Sequence, residues 1–237
     1  RAGPVWTAGM NMDHADAALL EDAVAAVRRL DALGLNRGST GNLSVRASAG
    51  GMWITPTGME PVDLTPDDMV WVADDGTVQG AWEPSTEWPF HRAVYRARAG
   101  LSAVVHAHSV HATAVACLRR DLPAFHYMVA VAGGDTVPCT PYHLFGTEAL
   151  SMAVGEAFAD RQACLMANHG LVAGGNSLKQ AMKVALEIEA LCEIYLKALA
   201  AGEPAVLDAA QMAEVIARFK TYGKTRRSPS SPGSGSR

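Results

Sequence analysis

The chain has 237 residues, 49% of them hydrophobic and 19% charged, with 20 Lys and Arg against 24 Asp and Glu for a net charge of −4. That is enough apolar material for one sizeable core, yet no run approaches the ~18 uninterrupted apolar residues of a membrane span, and the acidic balance argues against nucleic acid as a partner. Lys224, Arg226, Arg227 and Arg237 crowd the last stretch with no acid among them, so the rest of the chain is more acidic still.

Leu20, Val24, Val27 and Leu30 recur at helical spacing and predict an amphipathic helix over 13–33, with Gly34 as its stop. Short strands follow: Leu43 and Val45 alternate with polar neighbours, 52–55 and 69–73 are further candidates, and Asp74-Asp75-Gly76 reads as a hairpin turn. Next come a helix over 87–99, a strand over 101–105 running into His106, a helix over 110–118, a strand over 127–131, a helix over 147–158 and strands around Leu165 and Leu171. Helices over 177–199 and 208–219 close the pattern, so strands occupy the middle and helices flank them, which predicts an α/β fold. Residues 1–223 are expected to form a single catalytic domain, and 224–237, rich in Ser, Pro, Gly and Arg with nothing to bury, a disordered tail. Cys117, Cys139, Cys164 and Cys192 are scattered in apolar contexts without a Cys-x-x-Cys pair, so reduced thiols are expected. With no charged-then-apolar leader visible, a cytoplasmic address is the expectation.

The chemistry-bearing residues are histidines. His106 and His108 stand two apart at the end of an apolar strand, where i and i+2 side chains leave the same face; His169 stands in Ala-Asn-His-Gly, and Glu87 in Ser-Thr-Glu. A catalytic zinc-type site uses three protein ligands and keeps a position open, and neutral imidazoles suit it. The pair alone reads more readily as two hydrogen-bonded sheet histidines. His91, four residues after Glu87, is placed at the surface or behind the ligands rather than as a fourth ligand, and His111, His126 and His143 are left outside the metal shell.

Three turns are rich in small and hydroxylated residues: Gly38-Ser39-Thr40-Gly41-Asn42, Thr55-Pro56-Thr57-Gly58, and Ser85-Thr86 ahead of a helix start. Glycines let backbone approach a ligand, hydroxyls donate without bulk, and the positive end of a helix favours an anion, so each turn suits a phosphate. Each alone is also an ordinary connecting turn.

Taken together, Gly38-Ser-Thr-Gly-Asn-Leu-Ser44, Ile54-Thr-Pro-Thr-Gly58, Ser85-Thr-Glu-Trp-Pro-Phe-His91, Val105-His-Ala-His-Ser-Val-His-Ala-Thr113, His126-Tyr-Met, Ala132-Gly-Gly, 142–146 and Asn168-His-Gly-Leu171 resemble the class II aldolase family related to adducin heads. Within it, the likeness is greatest to the branch that cleaves L-fuculose 1-phosphate, and it runs in order from the first helix to Lys220-Thr-Tyr-Gly223.

The resemblance implies a three-layer α/β/α fold with a central, mostly antiparallel sheet. It implies one Zn²⁺ per chain on His106, His108 and His169, with Glu87 both near the metal and acting as acid/base. It places phosphate donors at Ser39, Asn42, Thr57, Gly58, Ser85 and Thr86. It implies a homotetramer with active sites between subunits, in which Tyr127 serves the neighbour's site and Tyr222 closes over the pocket. The family's phosphate loops usually read Gly-Thr-Ala-Gly-Asn and Ser-Ser-Glu; Ser39 and Thr86 keep hydroxyls at the changed positions. The implied reaction splits a ketose 1-phosphate into dihydroxyacetone phosphate and an aldehyde. A ribulose-phosphate 4-epimerase, whose branch carries Asp in place of Glu87, a methylthioribulose-1-phosphate dehydratase and a non-catalytic adducin-like module are the alternatives; adducin heads lack the metal histidines that this chain has.

Overall fold

The computed structural model describes residues 14–220; Tyr222 and the expected tail 224–237 lie outside them. The first helix, α1 (His14–Ala32), buries the stripe Leu20, Ala23, Val24 and Leu30, and the chain leaves it through Gly34 at φ 73°, a left-handed position that glycine adopts at little cost. Strands β1 (Asn42–Arg46), β2 (Met52–Ile54), β3 (Val70–Val72) and β4 (Val78–Gln79) follow, then α2 (Trp88–Ala97), β5 (Ala103–Ala107) and α3 (Val110–Cys117). The second half adds β6 (Cys139–Thr140), α4 (Glu148–Ala157), β7 (Ala163–Met166), β8 (Gly170–Gly175), α5 (Leu178–Ala201) and α6 (Ala209–Phe219).

All eight strands join one sheet in the order β4-β3-β2-β1-β5-β8-β7-β6. Every neighbouring pair is antiparallel except β6 with β7, so the expected mostly antiparallel sheet is the one found. Because successive strand residues point to opposite faces, the sheet separates two cores. Leu43, Val45, Ala103, Val105, Ala107, Leu165, Leu171 and Ala173 pack with α1, α3 and α5 on one side. Ile54, Val70, Val104, Cys164, Met166 and Val172 pack on the other with Phe90 and Val94 of α2 and Leu150 and Val154 of α4. The second face also carries polar residues in register: Asn42 pairs with His106 across β1 and β5, and His106 with Val172 across β5 and β8.

One predicted element differs. The strand expected over 127–131 is a 3-10 helix, Tyr127–Ala132, opened by His126, whose ring accepts from the Met128 N–H, and closed at Gly133 with φ 90°. Its alternating β-branched and small residues look like a strand, but it packs beside α5 and α6 with no strand edge to join, and the local cap decides the conformation. The four cysteines are free thiols, and burial pushes those of Cys164 and Cys192 up, which keeps them inert. Among the described residues no helix is long and apolar enough to cross a membrane.

Candidate metal centre and catalytic pocket

The site forms where β5, the β7–β8 turn and the start of α2 meet. His106 is fully buried on the α2 face of β5, and its Nδ1–H donates to the Leu171 carbonyl of β8 at 3.0 Å, which leaves Nε2 as a lone pair. His108 leaves the same face two residues on; its Nε2 lies 2.9 Å from that of His106, and its backbone N–H donates to Asn36 Oδ1 at 3.2 Å. Asn36 reaches it only because position 41 lacks a side chain: a Cβ on Gly41, at φ 74°, would stand 2.4 Å from Asn36 Oδ1. The glycine turn and the histidine pair are therefore one construction.

His169 arrives from the β7–β8 turn. The residue before it, Asn168, sits at φ 56°, and its side-chain oxygen accepts from Arg119 Nε at 2.6 Å, which fixes the turn. The candidate ligand nitrogens of His106, His108 and His169 lie within 4.8 Å of one another, with ring centroids 4.8 to 4.9 Å apart and planes near perpendicular. Among the described residues no other histidine joins the group. His111 turns instead to Glu189, which accepts from its ring and from the N–H groups of His111 and Ala112 at the start of α3.

Glu87, the residue just before α2, is pressed against this cluster. Its Oε2 is 3.2 Å from His106 Nε2, and its Oε1 is 3.1 Å from His169 Nε2 at an angle that makes no hydrogen bond, although the atom is buried. Burial alone would raise the carboxyl; the His106 and His169 rings set against it outweigh that and hold the group well below the usual carboxylate range. Burial, reinforced by His106 and His169, lowers His108 to about 4, so its ring is neutral at pH 7 and free to ligate. Converging imidazole lone pairs beside an ionised, incompletely bonded carboxylate oxygen form a donor set that fits a divalent cation of the zinc type.

A cavity of about 350 Å³ opens over the cluster. Ser39, Asn42, Thr57, Gly58, Ser85, Thr86, Glu87, His108 and His169 all line it, so the three turns that looked separate in sequence converge on the histidines. One expected residue stands elsewhere: Tyr127 is half exposed beside Phe219 in another groove; Tyr222 lies outside the described residues.

Sequence reasoning missed two groups. Tyr142 and Phe145, exposed aromatics of the loop before α4, also line the cavity. Behind Glu87, His91 takes the second of its two expected places, wholly buried and linking Ser44 and Asn42; the network it joins, with Ser44 and Tyr95, is what was missed. The available signal was the pattern break: Asn42 and Ser44 are polar where the second face of β1 should be apolar, and His91 and Tyr95 follow Glu87 at steps of four on the inward face of α2.

Against this geometry stand the likenesses. A family model described as Class II Aldolase and Adducin N-terminal domain matches residues 21–196. A 5-methylthioribulose-1-phosphate/5-deoxyribulose-1-phosphate aldolase of Rhodospirillum rubrum is 45% identical over 215 residues, covering 91% of this chain and 97% of the relative. An L-fuculose phosphate aldolase of Escherichia coli is 46% identical over 192 residues, covering 81% and 89%. A solved L-fuculose 1-phosphate aldolase matches with TM-score 0.84 and 36% identity, covering 90% of this chain and all (100%) of that one. The chain thus belongs to the class II aldolase and adducin N-terminal domain family, and to the metal-dependent lyases within it rather than to its non-catalytic members.

Proposed function

We propose that this protein is a zinc-dependent aldolase that reversibly cleaves a ketose 1-phosphate to dihydroxyacetone phosphate and a short aldehyde. The observation that carries the reading is the convergence, in one cavity, of the His106, His108 and His169 nitrogens, the Glu87 carboxylate and the three donor-rich turns. The hydroxyls of Ser39, Thr57, Ser85 and Thr86 and the open backbone at Gly58 suit a phosphate at one end, so the carbons next to that phosphate come to lie near the histidines. A zinc ion on the three histidines supplies a Lewis acid that offsets the negative charge left on the three-carbon fragment. As the C3–C4 bond breaks, the C4 hydroxyl passes its proton to a base and becomes the aldehyde, and the bonding electrons pass to the fragment; Glu87, once it has taken up a proton, delivers it to C3, so that one proton leaves O4 and one reaches C3.

Tyr142 and Phe145 add aromatic surface to the lining of the cavity, which suits an aldehyde ending in a methyl or thioether group. 5-Deoxyribulose 1-phosphate, 5-methylthioribulose 1-phosphate and L-fuculose 1-phosphate, named for the relatives, all meet that description. The half-exposed Tyr127, turned away from its own cavity, suits the assembly in which it serves a neighbouring copy of a homotetramer. Mixing inactive Tyr127→Phe and His106→Ala chains should then restore part of the activity, and a protein that is monomeric in light scattering would exclude the shared site.

The test of the main reading is to incubate the zinc-loaded enzyme with the three ketose 1-phosphates and follow dihydroxyacetone phosphate through a coupled reductase. Release of dihydroxyacetone phosphate from at least one is expected. Interconversion of ribulose 5-phosphate and xylulose 5-phosphate with no cleavage of any 1-phosphate would replace the aldolase by an epimerase, and water loss from 5-methylthioribulose 1-phosphate without cleavage would replace it by a dehydratase.

A further inference from the structure

Behind Glu87 a chain of buried polar groups runs between β1 and α2. The Tyr95 hydroxyl lies 3.0 Å from Ser44 Oγ, Ser44 Oγ 2.7 Å from His91 Nδ1, and His91 Nε2 2.5 Å from Asn42 Oδ1. Asn42 Nδ2 lies 2.9 Å from Ser85 Oγ and 2.8 Å from Glu87 Oε2. Ser44 and His91 are wholly buried, and Tyr95 and Asn42 nearly so, so each link has only the next link as its partner.

Both ends of this chain fix the direction of every hydrogen in it. At one end, an ionised carboxylate only accepts, so Asn42 must present its amide N–H₂ to Glu87 and its carbonyl to His91. His91 must then carry its hydrogen on Nε2 and accept at Nδ1 from the Ser44 hydroxyl, and Ser44 in turn accepts from Tyr95. At the other end, among the described residues Ser44 Oγ is the hydrogen-bond partner of the Tyr95 hydroxyl, which therefore gives its hydrogen to Ser44. The reversed chain would set the Asn42 carbonyl against the Glu87 carboxylate in a buried site, a repulsion with nothing nearby to offset it.

The same reckoning reaches Ser85. Its oxygen accepts from Asn42 Nδ2 and, at 3.3 Å, from the Glu87 backbone N–H. With both lone pairs engaged, the hydroxyl can only donate, and Ser85 lines the cavity.

We infer that His91, acting through Asn42, is a positioning residue: as the Nε2–H tautomer it locks Asn42 in the orientation that holds the Glu87 carboxylate in place and leaves the Ser85 hydroxyl as a donor for the substrate's phosphate. This rests on the reading of Glu87 as proton carrier and of Ser85 as phosphate donor. Glutamine can replace the essential donor by offering its amide N–H to Asn42, whereas methionine fills the space and offers nothing.

The tautomer is read without any substitution in zinc-loaded protein labelled with ¹⁵N-histidine, from long-range ¹H–¹⁵N correlations, with the His91 signal identified by its loss in His91→Gln. A protonated Nε2 on His91 is expected, and a protonated Nδ1 overturns the inference. In kinetics, His91→Met should lower kcat about 10- to 100-fold, the scale of a misplaced catalytic group, and weaken competitive inhibition by inorganic phosphate severalfold, with zinc content unchanged. His91→Gln should recover most of both. Equal losses in the two variants, or none in either, overturn the assignment. The readings beneath it fail separately: full kcat in Glu87→Gln removes the proton-carrier role while leaving the tautomer result intact.

Discussion

The two faces of the sheet are built from the same strands and do opposite work. On β1, Leu43 and Val45 enter a core with α1, α3 and α5 that is mainly apolar, while Asn42 and Ser44, one residue out of phase, enter the face under α2. On β5, Val105 and Ala107 join the first core, and His106 stands on the second face between Phe90 and the other histidines. The apolar face makes the sheet rigid by burial alone. The other face gives up part of that burial to hold a carboxylate and imidazoles in arrangements that water would relax, and it can do so because the backbone beneath it is held from behind.

Breaking the polar face should destroy chemistry before it destroys folding. The largest effect is expected for His106→Ala, which removes the most buried of the three nitrogens: the protein should lose its stoichiometric zinc, read by elemental analysis, and with it measurable cleavage. Wild-type zinc content in this variant would place the metal elsewhere. Next comes Glu87→Gln, expected to keep zinc and phosphate affinity while turnover falls by ~10²–10⁴, the usual share of general acid–base catalysis. If that variant lost its metal as well, Glu87 would be mainly a ligand.

The apolar face should give the reverse result. Leu43→Ala deletes a wholly buried side chain one residue away from Asn42. It should cost about 2–5 kcal/mol of stability, measured by urea unfolding, with kcat changed by less than a factor of two or so in the folded fraction. A large fall in kcat here, with little loss of stability, would mean the two faces are not separate and that the site depends on the fine placement of β1.

Much of this division was legible in the sequence and part was not. Periodicity located α1, α2, α5 and α6 and the strand leading to His106, because amphipathic stripes such as Leu20, Val24, Val27 and Leu30 carry their burial in their spacing. The Tyr127–Ala132 segment was not legible as a 3-10 helix, since its conformation is set by the His126 cap and by packing on α5 and α6 rather than by its own residues. The candidate ligand histidines stood out by type and spacing, but only the family resemblance joined His169 to the pair as a metal site. The roles of Asn36, Ser44 and Tyr95, and the bonds that tie Asn42 to His91 and Glu87, could not be read, because each rests on a partner far away in sequence: 45 and 49 residues for the Asn42 bonds to Glu87 and His91, 47 and 51 for the Ser44 bonds to His91 and Tyr95, and 72 for the bond between Asn36 and His108.

The smallest expected effect concerns what the polar face costs as pH falls. Burial, with the neighbouring His106 ring adding to it, lowers the His91 imidazole from its ordinary 6.5 to about 3. Above pH 6.5 the ring is neutral in both folded and unfolded chains and contributes nothing to pH dependence. Below that, the unfolded chain takes up a proton that the folded one refuses, so stability must fall as pH drops from about 6.5 toward 3, at roughly 1.4 kcal/mol per pH unit for this one group once the pH is well inside that window. Acid therefore presses on the polar face through a residue that touches neither metal nor substrate. His91→Gln removes the titrating group, so its urea midpoint between pH 6 and 5 should decline less steeply than that of the wild type, while contributions from the ligand histidines appear in both proteins and cancel. Parallel declines would mean that the folded protein accepts the proton on His91, and that the face under α2 is better hydrated than its packing against Phe90 and Tyr95 requires.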